Sequence, residues 1–478
     1  MTTLDERKLG DTIARELYRD PDYLDDPITG EYVDGIWREL MAGARARGEL
    51  TPEMQERFAW KVLLGRDRTI NAFALPGGYF GLHTGLVGAV SSRDELASVL
   101  AHEMTHITQR HIARMMSQQS RQTPMMLAAM ILGAVAATRN PQAGAALAVG
   151  GQAAVIQQQI NFTRDMEREA DRIGYGVMTQ SGFAPEGFSS MFEKLQVASR
   201  IDDNGDWPYL RSHPLTTQRI ADMQQRQRNL GRHTSPPPDT EALMLAARDR
   251  VLGRPGVDIL RAWAGEPEQA GFAQRPLAER VGALYAAAMA QAELRNLPRA
   301  QALAVQLAQA VTGHPRGAHQ ARLLQAALAL RADQPAQTLA LLADMRPPSG
   351  ADPHSQAGRA ALLLRTQALI QTGRAADAAS ALQPWVSDHP TDAGAWQALG
   401  QAYGAQGQIL RQLRAEGEVP MAHLDYAGAV DRWRAAQDYA RQHPGGNADL
   451  IEVSIVDARL RQAQELLRQQ QKDEKKRG

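Results

Sequence analysis

The stretch from Ser92 to Ser117 constrains this chain more than any other, because it carries His102-Glu103-Met104-Thr105-His106, an HExxH pentapeptide. Ser92 followed by Glu95 matches a capping box, and Leu96, Val99 and Leu100 fall at helical spacing. Residues i and i+4 of a helix lie one turn apart on one face. His102 and His106 therefore aim two imidazoles at a single zinc ion, with Glu103 beside them to take a proton from a water the metal activates. A pentapeptide recurs by chance, so two surface histidines on a polar helix is the bland alternative until another ligand is found. His111 is not that ligand. On a continuous helix it sits roughly half a turn from His102 at about 100° per residue, and no metzincin HxxGxxH continuation follows.

The third ligand is expected at Glu167, in Glu167-Arg168-Glu169-Ala170-Asp171. The segment from Asn161 to Gln180 is helical in pattern, with Met166, Ala170, Ile173 and Val177 on one stripe. A carboxylate from this second helix completes a His2Glu site with one position left for water. Asp171, one turn beyond Glu167, is placed to orient a ligating histidine through its second nitrogen. Glu169 points about 200° around the helix from Glu167 and reads as solvated or salt-bridged. Together the two segments predict one Zn2+ per chain.

HEMTH, followed by MEREADRIGYGVMTQSGF and preceded by NAFALPGGYFGLHTGLV, resembles the gluzincin peptidases related to the CAAX prenyl protease and the heat-shock protease HtpX. With the C-terminal half included, the chain is similar to bacterial periplasmic zinc proteases that carry tetratricopeptide repeats. The resemblance implies an endopeptidase that degrades misassembled outer-membrane beta-barrel proteins and assists the assembly of others. Its partners would be unfolded or misassembled substrates and, through the repeats, the barrel assembly machinery. Two rival functions stay open: a chaperone or adaptor whose zinc site is usually closed, and a general quality-control protease without barrel specificity.

The resemblance also assigns residues. The strand matching Asn71-Ala72-Phe73-Ala74 becomes the sheet edge that faces substrate, where unpaired backbone groups can receive an extended peptide. The alternative is an ordinary core hairpin with Phe73 and Leu75 buried. His213, before Pro214, reads from spacing alone as a helix-start residue. The resemblance instead brings it to the zinc, in the open position or beside the transition state. Arg219 is brought near the site, to stabilise an oxyanion or to pair with a structural carboxylate.

At 478 residues the chain calls for two or more domains. Its 53 basic and 53 acidic residues balance, so nothing in its net charge argues for nucleic acid. Cysteine is absent, which rules out disulfides and thiolate metal sites. Met1-Thr2-Thr3-Leu4-Asp5 has neither the basic nor the apolar region of a secretory signal, and only the resemblance favours a removed signal and a periplasmic location.

Residues 4 to 48 read as two helices joined by a Pro/Asp/Gly-rich link from Asp20 to Gly30. Alternation from Phe58 to Val62, a turn at Gly65-Arg66-Asp67, and extended runs from Thr69 to Leu75 and Tyr79 to His83 predict a small antiparallel sheet. Apolar arms from Met125 to Ala137 and Ala143 to Ile156 predict a helical hairpin about 113–160, each arm too short for a span of ~20 residues. Three uses compete for it: intramolecular packing, gripping unfolded substrate, or peripheral contact with a membrane, for which only Arg110, Arg114, Arg121 and Arg139 supply basic character.

Residues 231–238, with three consecutive prolines, form the clearest linker. Beyond it Trp396-x-x-Leu399-Gly400-x-x-Tyr403 and Gly407 match a tetratricopeptide repeat, with Gly373, Ala378, Leu382 and Pro390 one repeat earlier. Weaker turns fall near Asn296 and Asp333. After Gly407 an insertion at Ala415 to Pro420 is expected, then Ala429, Trp433 and Ala436 on a displaced second helix. A closing helix from Ala448 to Gln470 is expected to face Ile451, Ile455, Ala458 and Leu460 inward. The fold class is thus mainly α. An α+β zincin-like metalloprotease domain over 1–230 precedes an all-α repeat solenoid over 239–478, whose concave surface suits partner binding, the alternative being a structural annex that packs on the protease and shields its cleft.

Overall fold

Thr2 opens helix α1 (Thr3–Arg19) with a complete capping box, its side chain and the Asp5 carboxylate each accepting the other's backbone N–H. Asp26 caps α2 (Pro27–Ala46) through the Thr29 N–H. These two helices bury Leu9, Ile13, Val33, Ile36, Leu40 and Ala44. The structure, a computed structural model, describes residues 1–118, 164–201, 208–229, 239–345, 355–444 and 447–477. Past Gln118 the hairpin expected about 113–160 lies outside the described residues, as does the linker expected at 231–238. By compactness the chain divides into Met1–Ala321 and Arg322–Gly478.

In the first unit a short helix α3 (Pro52–Arg57) and four strands follow the opening helices: β1 (Tyr23–Leu24), β2 (Lys61–Gly65), β3 (Ala72–Leu75) and β4 (Tyr79–His83). Their order is β1-β2-β4-β3, and β2 runs parallel to β4 while the other pairs are antiparallel. The sheet is therefore mixed, which corrects the antiparallel expectation. Gly65-Arg66-Asp67 is not a hairpin turn; it leads the chain across so that β4 enters between β2 and β3. Burial explains the order. All five residues of β4 are buried and Phe80 stacks on Trp37 at 5.4 Å, the environment of a central strand. β3 is left at the edge. The β3–β4 turn needs Gly77 at φ 73°, where a Cβ would also meet Arg7 Cα at 2.7 Å.

Next come α4 (Thr84–Ala89), α5 (Arg93–Thr108) and α6 (His111–Gln118), then α7 (Arg164–Gln180), α8 (Glu186–Ile201), α9 (Pro208–Ser212), α10 (Thr217–Asn229) and α11 (Thr240–Leu252). The Ser92 hydroxyl accepts the Glu95 N–H at the start of α5. The single helix expected to Ser117 is broken: Arg110 is left-handed at φ 52°, its guanidinium paired with the buried Glu6 carboxylate and bonded to the Met1 carbonyl at 2.7 Å. Helix α11 is tied to α2 by a buried group, with Arg248 on Asp26 and the Thr29 hydroxyl donating to Asp249 at 2.9 Å.

Helices α12 (Val257–Gly265), α13 (Leu277–Glu293), α14 (Leu297–Ala310), α15 (Pro315–Arg331) and α16 (Pro335–Leu341) lead into α17 (Arg359–Gln371), α18 (Ala375–Asp388), α19 (Ala393–Ala405), α20 (Ile409–Ala422), α21 (Tyr426–Gln442) and α22 (Asn447–Arg477). This run has the form of a helical repeat region. Left-handed residues mark its turns at Arg295, Asp333, Gly373, Gly407 and Leu424. In the second unit Trp396, Leu399 and Tyr403 share one core with Leu362, Leu382 and Trp385.

Two details differ from expectation. Ala415 to Pro420 is no insertion but part of α20, where Gly417 admits the Trp433 indole; a Cβ there would lie 2.2 Å from its nitrogen. The inward face of α22 carries Glu452, Val456, Leu460 and Ala463, because Arg411 and Arg414 hold Glu452 at 3.2 and 3.1 Å. Ile451 is 65% exposed, so the apolar stripe is rotated from the one expected. Among the described residues no helix is long and apolar enough to cross a membrane.

Candidate active site

Two helices build the site. Met166, Ala170, Ile173 and Val177 bury one face of α7, and Gly174 lets it approach α5 closely: a Cβ there would lie 3.0 Å from both the Ala101 carbonyl oxygen and the His102 nitrogen. That approach delivers Glu167. His102 Nε2 and His106 Nε2 lie 3.1 Å apart, and each is 3.5 Å from a Glu167 carboxylate oxygen. His213 joins them, with Nδ1 2.9 Å from Glu167 Oε1 and 3.4 Å from His102 Nε2. One donor atom from each of His102, His106, Glu167 and His213 falls within 4.8 Å of the others, and all four residues are buried. Arg219 Nη1 is 2.8 Å from Glu167 Oε2 but is not aligned as a hydrogen bond, so that buried oxygen lacks a donor. Converging imidazole nitrogens with an unsatisfied carboxylate oxygen fit a metal ion.

Electrostatics separates the roles of the carboxylates. Burial pushes Glu167 up, but His213 and His102 outweigh it and hold the group well below the usual carboxylate range. Burial raises Glu103, and His213 and His102 offset this only in part. Glu103 is thus the carboxylate with raised proton affinity, as a general base requires. Burial opposes charge on His102, yet the neighbouring Asp171 and Glu167 carboxylates raise it to about 9. Burial drives His106 well below its ordinary value.

Around the donors, Asp171 Oδ1 accepts from His102 Nδ1 at 3.0 Å. Arg219 grips Asp171 through Nε at 2.6 Å and Nη2 at 2.8 Å, and its Nη1 donates to the Pro214 carbonyl at 3.0 Å. Arg219 therefore lies among the supporting carboxylates. Glu169 faces away from the cluster, held by His111 at 3.0 Å and Arg114 at 2.8 Å.

The strand comes to the same place. Glu103 Oε2 accepts the Ala74 N–H at 3.0 Å. Asn71 and Phe73 are the β3-side residues whose backbone turns toward β4, as the His83 N–H bond to the Asn71 carbonyl at 3.1 Å shows. Ala72 and Ala74 turn theirs away from β4, where the Ala74 N–H is the one that Glu103 holds. Asn71, Ala72 and Ala74 are buried; Phe73 is half-buried, its ring lying over Gly81 and edge-on to His83 at 5.9 Å. The Tyr209 N–H donates to the Ile70 carbonyl at 3.3 Å, its ring stacks on His213 at 4.6 Å, and His213 Nε2 is 3.2 Å from Glu103 Oε1. The sequence alone assigns no role to Gly174 or Tyr209, and it excludes His111 as a ligand without giving it another part. Gly174 alone had a signal, as a glycine inside a helical stripe.

Residues 33–227 match the family described as Peptidase family M48. A Vibrio cholerae protein provisionally named beta-barrel assembly-enhancing protease is 30% identical over 446 residues, 91% of this chain and 85% of its own. The Yersinia pestis beta-barrel assembly-enhancing protease is 29% identical over 414 residues, 86% of this chain and 80% of its own. The mitochondrial metalloendopeptidase OMA1 of Schizosaccharomyces pombe is 30% identical over 166 residues, 35% of this chain and 46% of its own. With buried His102, His106, Glu167 and His213 placed to hold a metal ion, the chain is a metalloprotease with a Peptidase family M48 domain and belongs with the beta-barrel assembly-enhancing proteases.

Proposed function

We propose that this chain is a zinc-dependent endopeptidase of the periplasm that degrades misassembled outer-membrane beta-barrel proteins and assists the assembly of others. The observation that carries the reading is the buried cluster of His102, His106 and Glu167, with Glu103 against it and a sheet edge alongside. His102, His106 and Glu167 would hold the zinc, which when bound would supply Lewis-acid polarisation of the scissile carbonyl and a more acidic water. Glu103 takes the proton and passes it to the leaving amine. An extended substrate adds to β3 through the outward backbone groups of Ala72 and the outward carbonyl of Ala74, whose N–H is held by Glu103, beside Asn71 and Phe73. Asp171 orients His102, and Arg219 holds Asp171 and Glu167 in place. We assign catalysis to residues 1–230 and partner recruitment to the repeats of 239–478. The names of the relatives support the substrate class and, through it, the location.

The purified chain should contain about one zinc, degrade an unfolded barrel protein faster than casein, and lose both activities to a chelator. Equal rates on the two substrates would favour a general quality-control protease. No cleavage of either, with zinc bound, would favour a chaperone or adaptor.

His213 is proposed to close the site. What supports this is its contact with both Glu167 and Glu103, where substrate and water have to enter. A closed state favoured by ~3 kcal/mol leaves under about one per cent competent. His213→Ala should then raise basal peptidase or self-cleavage activity by about 100-fold or more with zinc still bound. Lost activity at every substrate concentration would instead give His213 a part in stabilising the transition state.

A further inference from the structure

We propose that His111 is a positioning residue of the metal site, accepting the Nδ1–H of His106 and so fixing the tautomer and tilt with which His106 Nε2 faces the cluster. The two Nδ1 atoms lie 2.9 Å apart, with the rings edge-on at 4.8 Å and 77°. A histidine that ligates through Nε2 carries its proton on Nδ1. His111 Nδ1 must then accept, which puts the proton of His111 on Nε2. That nitrogen lies 3.0 Å from Glu169 Oε2, an acceptor anchored by Arg114 at 2.8 Å. One assignment satisfies the whole chain from Glu169 through His111 to His106.

The side chain of His111 is fully buried, so water cannot replace it as the partner of His106. The two metal histidines are thus supported differently. His102 meets the Asp171 carboxylate directly, whereas a neutral imidazole stands between His106 and Glu169.

Backbone geometry points the same way. On an unbroken helix His111 would lie about 140° around from His106 and could not reach it. The left-handed Arg110, at φ 52°, ends α5 and returns the chain toward the metal side. A non-glycine residue adopts that state at a cost, and the Glu6 carboxylate and Met1 carbonyl hold its guanidinium there. The strained turn and the His–His contact are two independent features serving one placement.

The inference rests on the proposed metal site, and the test separates the two. Metal-free full-length protein is titrated with zinc against a competing chelator, with folding followed by circular dichroism. His111→Phe fills the space without an acceptor, while His111→Asn returns a carbonyl oxygen near the position of Nδ1. His111→Phe should weaken zinc binding about 10–100-fold, and His111→Asn should stay within about threefold of wild type. Should His111→Phe fail to fold, Glu169→Ala, at a partly exposed position, should still weaken zinc about 10-fold. Wild-type affinity in both His111→Phe and Glu169→Ala, or His111→Asn no better than His111→Phe, would overturn the positioning role. If wild type itself holds no zinc, the metal reading falls and takes this inference with it. If His102→Ala loses zinc while His111→Phe does not, only the role of His111 is rejected.

Discussion

Glu103→Gln is expected to keep a wild-type metal content and to lower kcat about 10²–10⁴-fold. Glu103 is not among the four clustered donors, and glutamine of nearly the same shape still offers an oxygen to the Ala74 N–H that Glu103 accepts at 3.0 Å. What glutamine lacks is the ability to take a proton. Glu167→Ala should behave differently, losing metal and activity together, because it removes the charged donor and leaves too few ligands for a stable catalytic metal. Elemental analysis of the purified variants beside a casein assay reads both quantities. Metal loss in Glu103→Gln would make Glu103 a ligand, and full activity would remove it from the chemistry. Full metal occupancy in Glu167→Ala would take that residue out of the ligand set.

Arg248→Met should destabilise the first unit by about 3–5 kcal/mol, because it strands a buried carboxylate whose partner is gone. Arg248 Nε lies 2.9 Å and Nη2 2.5 Å from the two oxygens of Asp26, which also caps α2 through the Thr29 N–H. Burial pushes Asp26 up, but Arg248 outweighs it and leaves the carboxyl below its usual range. Its contribution is therefore present above the unfolded value of about 3.9 and is lost as the pH falls through the lower folded value. Beside it, burial raises Asp249 well above the usual range. That group binds a proton on folding, so its contribution runs the other way and declines as the pH rises above about 3.9. The urea midpoint of Arg248→Met, followed by Trp fluorescence, should fall accordingly. Asp26→Asn combined with Arg248→Met should recover part of the loss, since asparagine keeps the cap without the charge. A shift below about 1 kcal/mol would show that the pair is not holding α11 to α2.

Much of the site was legible because its elements are helical, and helical periodicity is local. The spacing of His102 and His106, the stripe of Met166, Ala170, Ile173 and Val177, and the offset from Glu167 to Asp171 follow from the turn of a helix whatever lies around it. The repeat turns at Gly373 and Gly407 were legible for the same reason: a left-handed position selects glycine in its own sequence.

What the sequence could not settle depends on groups far apart in it. The order β1-β2-β4-β3 turns on which strand is covered on both faces, and the stacking of Phe80 on Trp37 decides that across the fold. The apolar residues of α22 by themselves predict a different inward face, because Arg411 and Arg414 draw Glu452 inward. On a continuous α5, His111 would face away from the metal side. It reaches His106 because Arg110 turns left-handed under the hold of Glu6, 104 residues earlier in the chain. Sequence alone determined which residues share a helix face. Where helices break, which strand lies at the edge and where Arg219 pairs were decided by burial and charge compensation between distant segments, which exist only once the chain has folded.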